Sequence, residues 1–353
     1  NAIHSKTRSH FTMINENLQV FKVENNGKYP TILEMMGNHD MFNIRNENSE
    51  SNLFKKYANH QVRSSRIESF IIPWTDKKSI KIVTFNPGSF PFPSAPLGNI
   101  IYVDDDTLNL VDKHLAYDSE SMNYSEVLTN DHVNIVVSHF PFTALYTDSP
   151  KKQKTVFSKT DLILTGYTHP SSRKIYHYNK QIPHVITPTQ SRYYNFGLVT
   201  VDLNGHSLVY HQVDYDENNS DNPVACVTFP IPYEQLSNTQ IFDFENRSMI
   251  PVRLILMNPS AIENNPIHVF IDSKSYGKME FKEHINENAD FYETVVISNS
   301  EFGGKHTLEI RCRDKVLQSF DFYVGQESPK MKESLVSIFS ADLFFTLLGV
   351  SGF

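Results

Sequence analysis

The sequence predicts an α/β fold followed by a smaller all-β domain, and two observations support this prediction. From residue 31 to about residue 215, short apolar runs alternate with polar or helix-like segments, and most runs show no regular apolar/polar alternation. Such runs are typical of strands that are buried on both faces of a sheet layered with helices. After residue 224 only strand-like segments follow, separated by turn signals, as in a small β-sandwich.

Eight apolar runs are the predicted strands of the first domain, which we assign to residues 1–216. They are TILEMM (31–36), IKIVTF (80–85), IIYVD (100–104), VNIVVSH (133–139), DLILTG (161–166), HVITP (184–188), FGLVTVDL (196–203) and SLVYHQV (207–213). A helix is predicted over residues 106–118, where Asp106 is the candidate cap and apolar residues recur at helical spacing. The Lys-rich segment 149–154 is predicted to be an exposed loop, and the segment 158–162 to begin a helix.

A polar, acidic stretch ending in proline, residues 214–223, is the predicted linker to the second domain. That domain is assigned to residues 224–326. Its predicted strands are VACVTF (224–229), PVRLILMN (251–258), IHVFID (267–272), YETVVIS (292–298), HTLEIRCRD (306–314) and LQSFDFYVG (317–325). The sequence shows no cluster of titratable groups there, so we expect this domain to serve packing, spacing or partner binding.

Length and composition narrow the function classes. The chain has 353 residues, of which 39% are hydrophobic and 12% aromatic, enough for two packed domains. A net charge of -8 and a pI near 6.0 provide no basic surface for nucleic acid, so we expect no such partner. Cys226 and Cys312 are too far apart in sequence for a CxxC metal site, and whether they pair is left open.

Features near the ends and on the surface suggest a membrane context. The chain starts with Asn1 rather than Met, which we interpret as a fragment or a processed chain. Residues 335–353 are strongly apolar and predict the beginning of a transmembrane helix, with a C-terminal core helix as the alternative. Sequons at Asn123, Asn218 and Asn246 fit a secreted or lumenal surface, or they are chance triplets in an Asn-rich chain.

Polar residues follow three of the predicted strands directly. TILEMM is followed by Gly-Asn38-His39-Asp40, VNIVV by Ser-His139-Phe-Pro-Phe, and DLILT by Gly-Tyr167-Thr-His169-Pro. The carboxyl ends of buried strands are where an α/β sheet places its ligand site. Asn oxygen and neutral imidazole suit divalent zinc, manganese or iron, and a metal pair can activate water for phosphoryl transfer. Taken singly, each motif also fits an Asx-turn or a hydrogen-bonded histidine, but three in a fixed order favour a metal site.

The ordered set GNHD, SHFPF and GYTHP resembles the second half of the calcineurin-like metallophosphoesterase signature. That signature runs D-x-H, G-D-x-x-D, G-N-H-[DE], a lone His and G-H-x-H. GNHDMFNI, the NPG of residues 86–88, the RYYNFGLVTVD of 192–202 and the NPSAIENNPIHVFID of 258–272 look most like the transmembrane protein 62-like branch. The resemblance implies a layered metallophosphoesterase-type β-sandwich flanked by helices, then a small immunoglobulin-like sandwich, then membrane helices.

The resemblance also implies a role for each matching residue. Asn38 and His139 would bind the second metal, and His169 the first. His39 would contact the phosphate and the leaving-group oxygen as general acid, while Asp40 orients its imidazole and raises its basicity. One or two divalent transition metal ions (Mn, Zn or Fe) are the implied cofactors, and a phosphorylated small molecule or phosphoester is the implied substrate.

Several departures from the family pattern bear on these roles. No Gly-Asp dipeptide occurs in the chain, and the first motif is also missing; in family order both belong before residue 1. Asp112-Lys113-His114 spells D-x-H, but it lies downstream of GNHD and is interpreted as accidental. Tyr167 stands where the family has a metal-binding His, and a phenol with a pKa near 10 is a poor ligand.

Tyr167 leaves three interpretations open, and they lead to two hypotheses on function. The site holds one metal, or it uses the phenolate with ferric iron, or it has lost catalysis. The first hypothesis is a membrane-associated, metal-dependent phosphoesterase-like hydrolase, with its domains lumenal or extracellular, of which this chain alone is expected to be inactive. The alternative is a catalytically degenerate phosphoesterase fold that acts as a lumenal or surface binding module.

Overall fold

The computed structural model describes most of the chain between residues 33 and 325. The described ranges are 33–42, 44–57, 66–75, 78–92, 101–116, 131–168, 170, 172–179, 182–187, 195–202, 207–214, 222–236, 249–262, 265–297 and 303–325. Strands make up 53% of the structure, and four α-helices accompany them within these ranges, so the protein is β-rich with several sheets and few helices. This agrees with the prediction of a β-rich α/β fold.

The chain divides into two compact units, and the division falls between Thr168 and residue 169. The described residues of the first unit end at Thr168, and those of the second run from Pro170 to Gly325. The division follows compactness alone. The domain boundaries predicted at residues 216 and 224 stay predictions.

The first unit contains a mixed sheet in which three parallel strands are neighbours. Its strands are β1 (Ile67–Thr75), β2 (Lys78–Phe85), β3 (Ile101–Tyr102), β4 (Asp131–Ser138), β5 (Leu145–Tyr146) and β6 (Leu162–Thr165). In the main sheet β1 pairs antiparallel with β2, β2 parallel with β4, and β4 parallel with β6. β3 and β5 form a separate, two-residue parallel pair. The parallel arrangement brings the carboxyl ends of β4 and β6 to the same edge of the sheet.

The described α-helices all belong to this unit, and two of them differ from the sequence prediction. They are α1 (Asn38–Met41), α2 (Leu53–Tyr57), α3 (Asp105–Leu115) and α4 (Pro150–Phe157). The cap of α3 is Asp104 rather than Asp106, because the Asp104 carboxylate accepts the Thr107 N–H at 2.7 Å. The segment predicted as a Lys-rich loop is helix α4, which Pro150 begins and which buries Val156 and Phe157; the segment 158–162 follows this helix instead of starting one.

The predicted strand TILEMM is not formed in the part that the structure describes. Residues 33–37 are irregular, and residues 31–32 lie outside the described ranges. Instead of joining a ladder, the Gly37 N–H donates to the Asp40 carboxylate at 2.9 Å. The polar turn is therefore organised by its own side chain, and it leads directly into α1.

The second unit consists of two hairpins and a β-sandwich. The hairpins are β7 (Lys174–Tyr178) with β8 (Ile182–Ile186), and β9 (Asn195–Asp202) with β10 (Ser207–Asp214). The sandwich strands are β11 (Val224–Phe229), β12 (Met249–Met257), β13 (Ile267–Ile271), β14 (Lys274–Lys278), β15 (Glu280–Asn286), β16 (Ala289–Ile297), β17 (Gly304–Cys312) and β18 (Lys315–Val324). They form two four-stranded sheets, in the orders β11-β12-β16-β15 and β14-β13-β17-β18. Apolar side chains of both sheets share one core, as the two sheets of a β-sandwich do.

Alternating burial along the sandwich strands explains how this core forms. In β12 every second residue is buried, from Ile250 to Leu256, which places one face of the strand inside and the other outside. Cys226 and Cys312 are both buried and both free, so the cysteines do not form a disulfide. Within the described ranges, no helix has the length and apolar character needed to span a membrane. The predicted transmembrane segment 335–353 lies outside those ranges.

A buried polar network ties the β9–β10 hairpin to the sandwich. The Gln318 side chain accepts the Val227 N–H at 2.8 Å, and its amide nitrogen lies 3.2 Å from His211 Nδ1. Since an amide nitrogen can only donate, His211 Nδ1 is the acceptor and the ring proton is on Nε2. Nε2 lies 3.0 Å from Thr200 Oγ1, which the Nε2 proton can reach. His211 is therefore held as a neutral imidazole with both nitrogens bonded.

Tyr210 of the neighbouring strand β10 leaves no room for a side chain at position 197 of β9. A Cβ at this position would lie 2.3 Å from Tyr210 Cε2, because the tyrosine ring lies across the glycine backbone. Tyr210 is 1% exposed, and its hydroxyl has no hydrogen-bond partner among the residues that the structure describes. The close approach therefore depends on the absence of a side chain rather than on any polar contact of the ring.

We expect Gly197→Ala to destabilise the second unit by about 1–3 kcal/mol, since the added methyl group would overlap the buried Tyr210 ring. Urea unfolding followed by circular dichroism measures this change. Tyr210→Phe is the matched control: it removes only a buried hydroxyl that makes no hydrogen bond to the described residues, so we expect it to be neutral or stabilising. Equal stability of Gly197→Ala and the wild type would contradict the steric explanation.

Candidate functional site

The Asn38 side chain lies at the start of α1, in a turn that is fixed from within. Gly37 has an extended backbone with φ -92° and ψ 176°, and its N–H is bonded to Asp40 Oδ2 at 2.9 Å. At the other end, the Phe42 N–H donates to the Asn38 carbonyl oxygen at 3.2 Å. The four-residue helix is therefore closed at both ends, which orients the side chains between them.

The NPG loop after β2 packs against this helix. Met41 of α1 is fully buried, and its Sδ lies 3.7 Å from Asn86 Nδ2. Asn86 Oδ1 accepts the Gly88 N–H at 3.1 Å, and a Cβ on Gly88 would lie only 1.9 Å from Met41 Cε. The glycine thus makes room for the methionine, and the loop supports α1.

Asn38 and His139 meet although 101 positions separate them in the chain. His139 follows β4 directly, and its Nε2 lies 3.0 Å from Asn38 Oδ1. Gly37 permits this approach, since a Cβ there would be 3.1 to 3.3 Å from three atoms of the His139 ring. The amide oxygen and the imidazole nitrogen predicted as metal ligands are therefore adjacent at the carboxyl edge of the sheet.

Tyr167 lies beside His139, on the neighbouring strand end. Gly166 follows β6, and its N–H donates to the His139 carbonyl oxygen at 3.1 Å, which continues the β4–β6 ladder by one step. The Tyr167 ring packs edge-on against the His139 ring, with centroids 5.7 Å apart. Its φ of 74° is in the left-handed region, which costs a non-glycine residue roughly 1–2 kcal/mol.

The other predicted site residues have different surroundings. His39 is exposed, and its ring contacts Phe42 edge-on at 5.1 Å. Asp40 is half-buried and accepts the Gly37 N–H; its predicted role in orienting His39 stays a prediction. His169 lies outside the described residues. Asp112 and His114 of the D-x-H triplet contact Lys159 and Ser69 respectively, as expected for residues two apart on a helix.

A connected set of aromatic rings borders the site, and we call it the aromatic row. Its members, in order of contact, are His39, Phe42, Phe92, Phe140 and Tyr167. Successive centroids are 5.1, 6.0, 6.0 and 5.4 Å apart. Phe92 and Phe140 are buried, while His39 at one end is exposed. Sequence reasoning missed Phe42 and Phe92, because nothing in their spacing signals that tertiary packing brings them together.

Asn38 Oδ1 and His139 Nε2 are 3.0 Å apart, a hydrogen-bond distance at which a proton on Nε2 would be donated to the amide oxygen. Both atoms are of types that bind zinc, for which tetrahedral ligands at about 2.0–2.2 Å lie roughly 3.3–3.6 Å from each other, so a shared ion would replace this hydrogen bond. Among the residues that the structure describes, no group of three or more His, Cys, Asp and Glu side chains could hold a metal ion. Asn38 is not one of those residue types, and His169 is not described.

Comparison with known proteins assigns no family. No protein-family model matches the sequence, and no curated protein is significantly similar to it. Evidence on function therefore comes from the site itself.

Proposed function

We propose that the protein is a metal-dependent phosphoesterase-like hydrolase of the calcineurin-like metallophosphoesterase type, similar to the transmembrane protein 62-like branch. The proposal rests above all on the 3.0 Å approach of Asn38 Oδ1 to His139 Nε2. Two motifs that are distant in sequence supply these atoms, at the carboxyl edge where α/β sheets place their ligands. A phosphorylated small molecule or another phosphoester is the proposed substrate.

In this proposal Asn38 and His139 hold one divalent transition metal ion (Mn, Zn or Fe), and the resemblance assigns His169 to the other metal of the family's pair. When bound, such an ion lowers the pKa of a coordinated water and stabilises charge on a phosphoryl group. His39 is exposed, so its imidazole is accessible to a substrate and can donate a proton to the leaving-group oxygen. The Gly37–Asp40 hydrogen bond fixes the turn that presents His39.

We also propose a finer description of the fold. For the first unit it is the layered metallophosphoesterase-type β-sandwich flanked by helices, which the parallel strands β2, β4 and β6 and the helices α3 and α4 support. For the sandwich it is an immunoglobulin-like topology. If β11 to β18 are lettered A, B, C, C′, D, E, F and G, the sheets read A-B-E-D and C′-C-F-G, whereas immunoglobulin constant domains have A-B-E-D and C-F-G. The two differ by one edge strand.

We further propose that the protein is membrane-associated and that its domains are lumenal or extracellular. The apolar segment 335–353 and the sequons at Asn123, Asn218 and Asn246 support this location. Detection of N-linked glycan by a mobility shift after glycosidase treatment would test the lumenal side. Unmodified sequons in a eukaryotic secretory host would argue against it.

Metal binding tests the central proposal. We expect the full chain to bind Zn²⁺ or Mn²⁺ in isothermal titration calorimetry, and Asn38→Ala and His139→Ala each to weaken binding by roughly 100-fold. This magnitude follows because four ligands share about 10–16 kcal/mol in structural zinc sites, about 3 kcal/mol each. His114→Ala is the matched control, because His114 is a histidine of the same unit that contacts Ser69. A wild-type chain that binds neither ion would overturn the proposal.

A second candidate function is a degenerate phosphoesterase fold that acts as a binding module, and Tyr167 favours it. Its ring packs on His139 and Phe140, as a core aromatic does, at the position where the family has a ligand. This candidate predicts no turnover of 4-nitrophenyl phosphate with added Mn²⁺, Zn²⁺ or Fe³⁺, even in the longest chain that the gene encodes. Turnover that His39→Ala abolishes would exclude it.

A further inference from the structure

The aromatic row suggests which kind of ester the site accepts. We propose that Phe42 is a specificity-determining residue, and that the substrate carries an aromatic group on the ester oxygen that leaves. This inference rests on the proposed function, because it uses His39 as the proton donor. It adds a statement on the leaving group, which the metal-ligand motifs do not provide.

The position of the general acid determines where the leaving group lies. A general acid must lie within hydrogen-bond distance of the oxygen that it protonates. The His39 ring is exposed, and it contacts the Phe42 ring edge-on, with centroids 5.1 Å apart and planes 64° apart. A substituent on an oxygen that is bonded to His39 can therefore reach the Phe42 ring.

The Phe42 ring is fixed by its neighbours. Its backbone N–H is bonded to the Asn38 carbonyl at 3.2 Å, and its ring stacks on Phe92 at 6.0 Å with planes 29° apart. Phe92 is 5% exposed and is itself in contact with the buried Phe140. The contact with Phe92 and the backbone hydrogen bond thus hold Phe42 in place, while its side chain remains only half-buried. Because the Phe42 ring is already fixed, little conformational entropy is lost when a second ring packs on its accessible part.

A purely structural role of Phe42 would have a different consequence from a specificity role. Phe42 could serve only to anchor α1 on Phe92, and its loss would then weaken all ligands of the site alike. A specificity role predicts instead that its loss weakens aromatic ligands more than small ones. The ratio of two affinities therefore separates the explanations, whereas either affinity alone does not.

The experiment uses the full chain with benzylphosphonate and methylphosphonate, which cannot be hydrolysed and which share the phosphonate group. We expect benzylphosphonate to bind roughly tenfold more tightly in isothermal titration calorimetry with Mn²⁺ or Zn²⁺ present, as a buried aromatic pair provides. Phe42→Ala should reduce this ratio to near one, and Phe42→Leu should leave an intermediate ratio. Phe281→Ala is the control, because Phe281 is an exposed phenylalanine of the other unit.

Hydrolysis provides the second readout, and it is measured on the longest chain that the gene encodes because residues 1–353 alone are expected to be inactive. Benzyl phosphate and methyl phosphate are the substrates, since their leaving alcohols are of nearly equal basicity. A preference for benzyl phosphate in kcat/KM supports the inference. Hydrolysis of both esters at equal kcat/KM overturns it and leaves the hydrolase proposal intact. Ring-dependent phosphonate binding without any hydrolysis supports the role of Phe42 and contradicts the hydrolase. Equal binding of both phosphonates, or binding of neither, overturns the inference.

Discussion

Lowering the pH from 7 to 5 is expected to destabilise the second unit by about 4 kcal/mol through His184 and His211, which are buried there in their neutral form. Burial also lowers the pKa of a third histidine of this unit, His177, which adds to the effect. His184 and His211 are 2% and 5% exposed, and burial lowers the pKa of each to about 3. The nearby Arg173 lowers the pKa of His211 further. In the unfolded chain both imidazoles take up a proton near pH 6.5.

The sign follows from proton binding. Between pH 6.5 and 3 the unfolded state binds more protons than the folded unit, so stability decreases as the pH falls through this window and is unaffected above it. At pH 5 each histidine accounts for about 2 kcal/mol. For His211 the cost has a structural cause, because protonation of Nδ1 would break the hydrogen bond from Gln318.

Urea unfolding at pH 7, 6 and 5 measures this effect, with the two units followed separately by hydrogen exchange. His184→Gln and His211→Gln should each remove about 2 kcal/mol of this pH dependence, whatever they do to stability at pH 7. Tyr210→Phe is the control, since burial raises the pKa of Tyr210 to about 12, far above this range. If both glutamine variants retain the wild-type slope, other groups cause the acid sensitivity.

The first unit contains a buried group that acts in the opposite direction. Burial raises the pKa of Asp161 to about 6, although its carboxylate accepts the Asn134 N–H at 2.8 Å. The folded unit therefore binds a proton near pH 6, whereas the unfolded chain takes it up only near pH 3.9. Protonation of Asp161 thus stabilises the folded unit as the pH falls through 6. Acid should thus weaken the second unit more than the first.

The strands were the most predictable part of the fold. VNIVVSH covers most of β4 and DLILTG contains β6, because a strand buried on both faces needs an unbroken apolar run. Helix α4 could not be predicted, since its apolar face is limited to Val156 and Phe157 among lysines. TILEMM has the composition of a strand, but composition alone does not provide a pairing partner.

The contact between Asn38 and His139 was foreseeable from the sequence, but the surroundings of these side chains were not. Asn38 and His139 were named from the position of each motif after an apolar run, and the structure brings their side chains together. The aromatic row depends on contacts between distant segments, for which single residues such as Phe42 carry no sequence signal. The left-handed backbone of Tyr167 was equally invisible, since tyrosine rarely adopts positive φ and nothing in the sequence marks the exception.

Replacing Tyr167 by histidine is expected to raise metal affinity by roughly 100-fold, the second large effect that the structure predicts. Tyr167 already lies next to His139, with ring centroids 5.7 Å apart. An imidazole there would add a third nitrogen or oxygen donor to Asn38 and His139, and each added ligand contributes about 3 kcal/mol in structural zinc sites. Histidine also tolerates positive φ better than tyrosine does, so the backbone need not change.

Tyr167→Phe is the matched comparison, because it separates a phenolate ligand from a side chain that only packs. Phenylalanine keeps the ring and removes the hydroxyl, so metal affinity falls if the phenolate is a ligand and stays constant if Tyr167 only packs. A Tyr167→His variant that gains both affinity and turnover of 4-nitrophenyl phosphate would show that the wild-type site is a hydrolase site with one ligand lost. A gain of affinity without turnover in the longest chain that the gene encodes would favour the binding module, because the added ligand would then not be enough for catalysis. No gain of affinity would contradict the assignment of Asn38 and His139 as ligands of a shared ion, since a donor beside them should strengthen it.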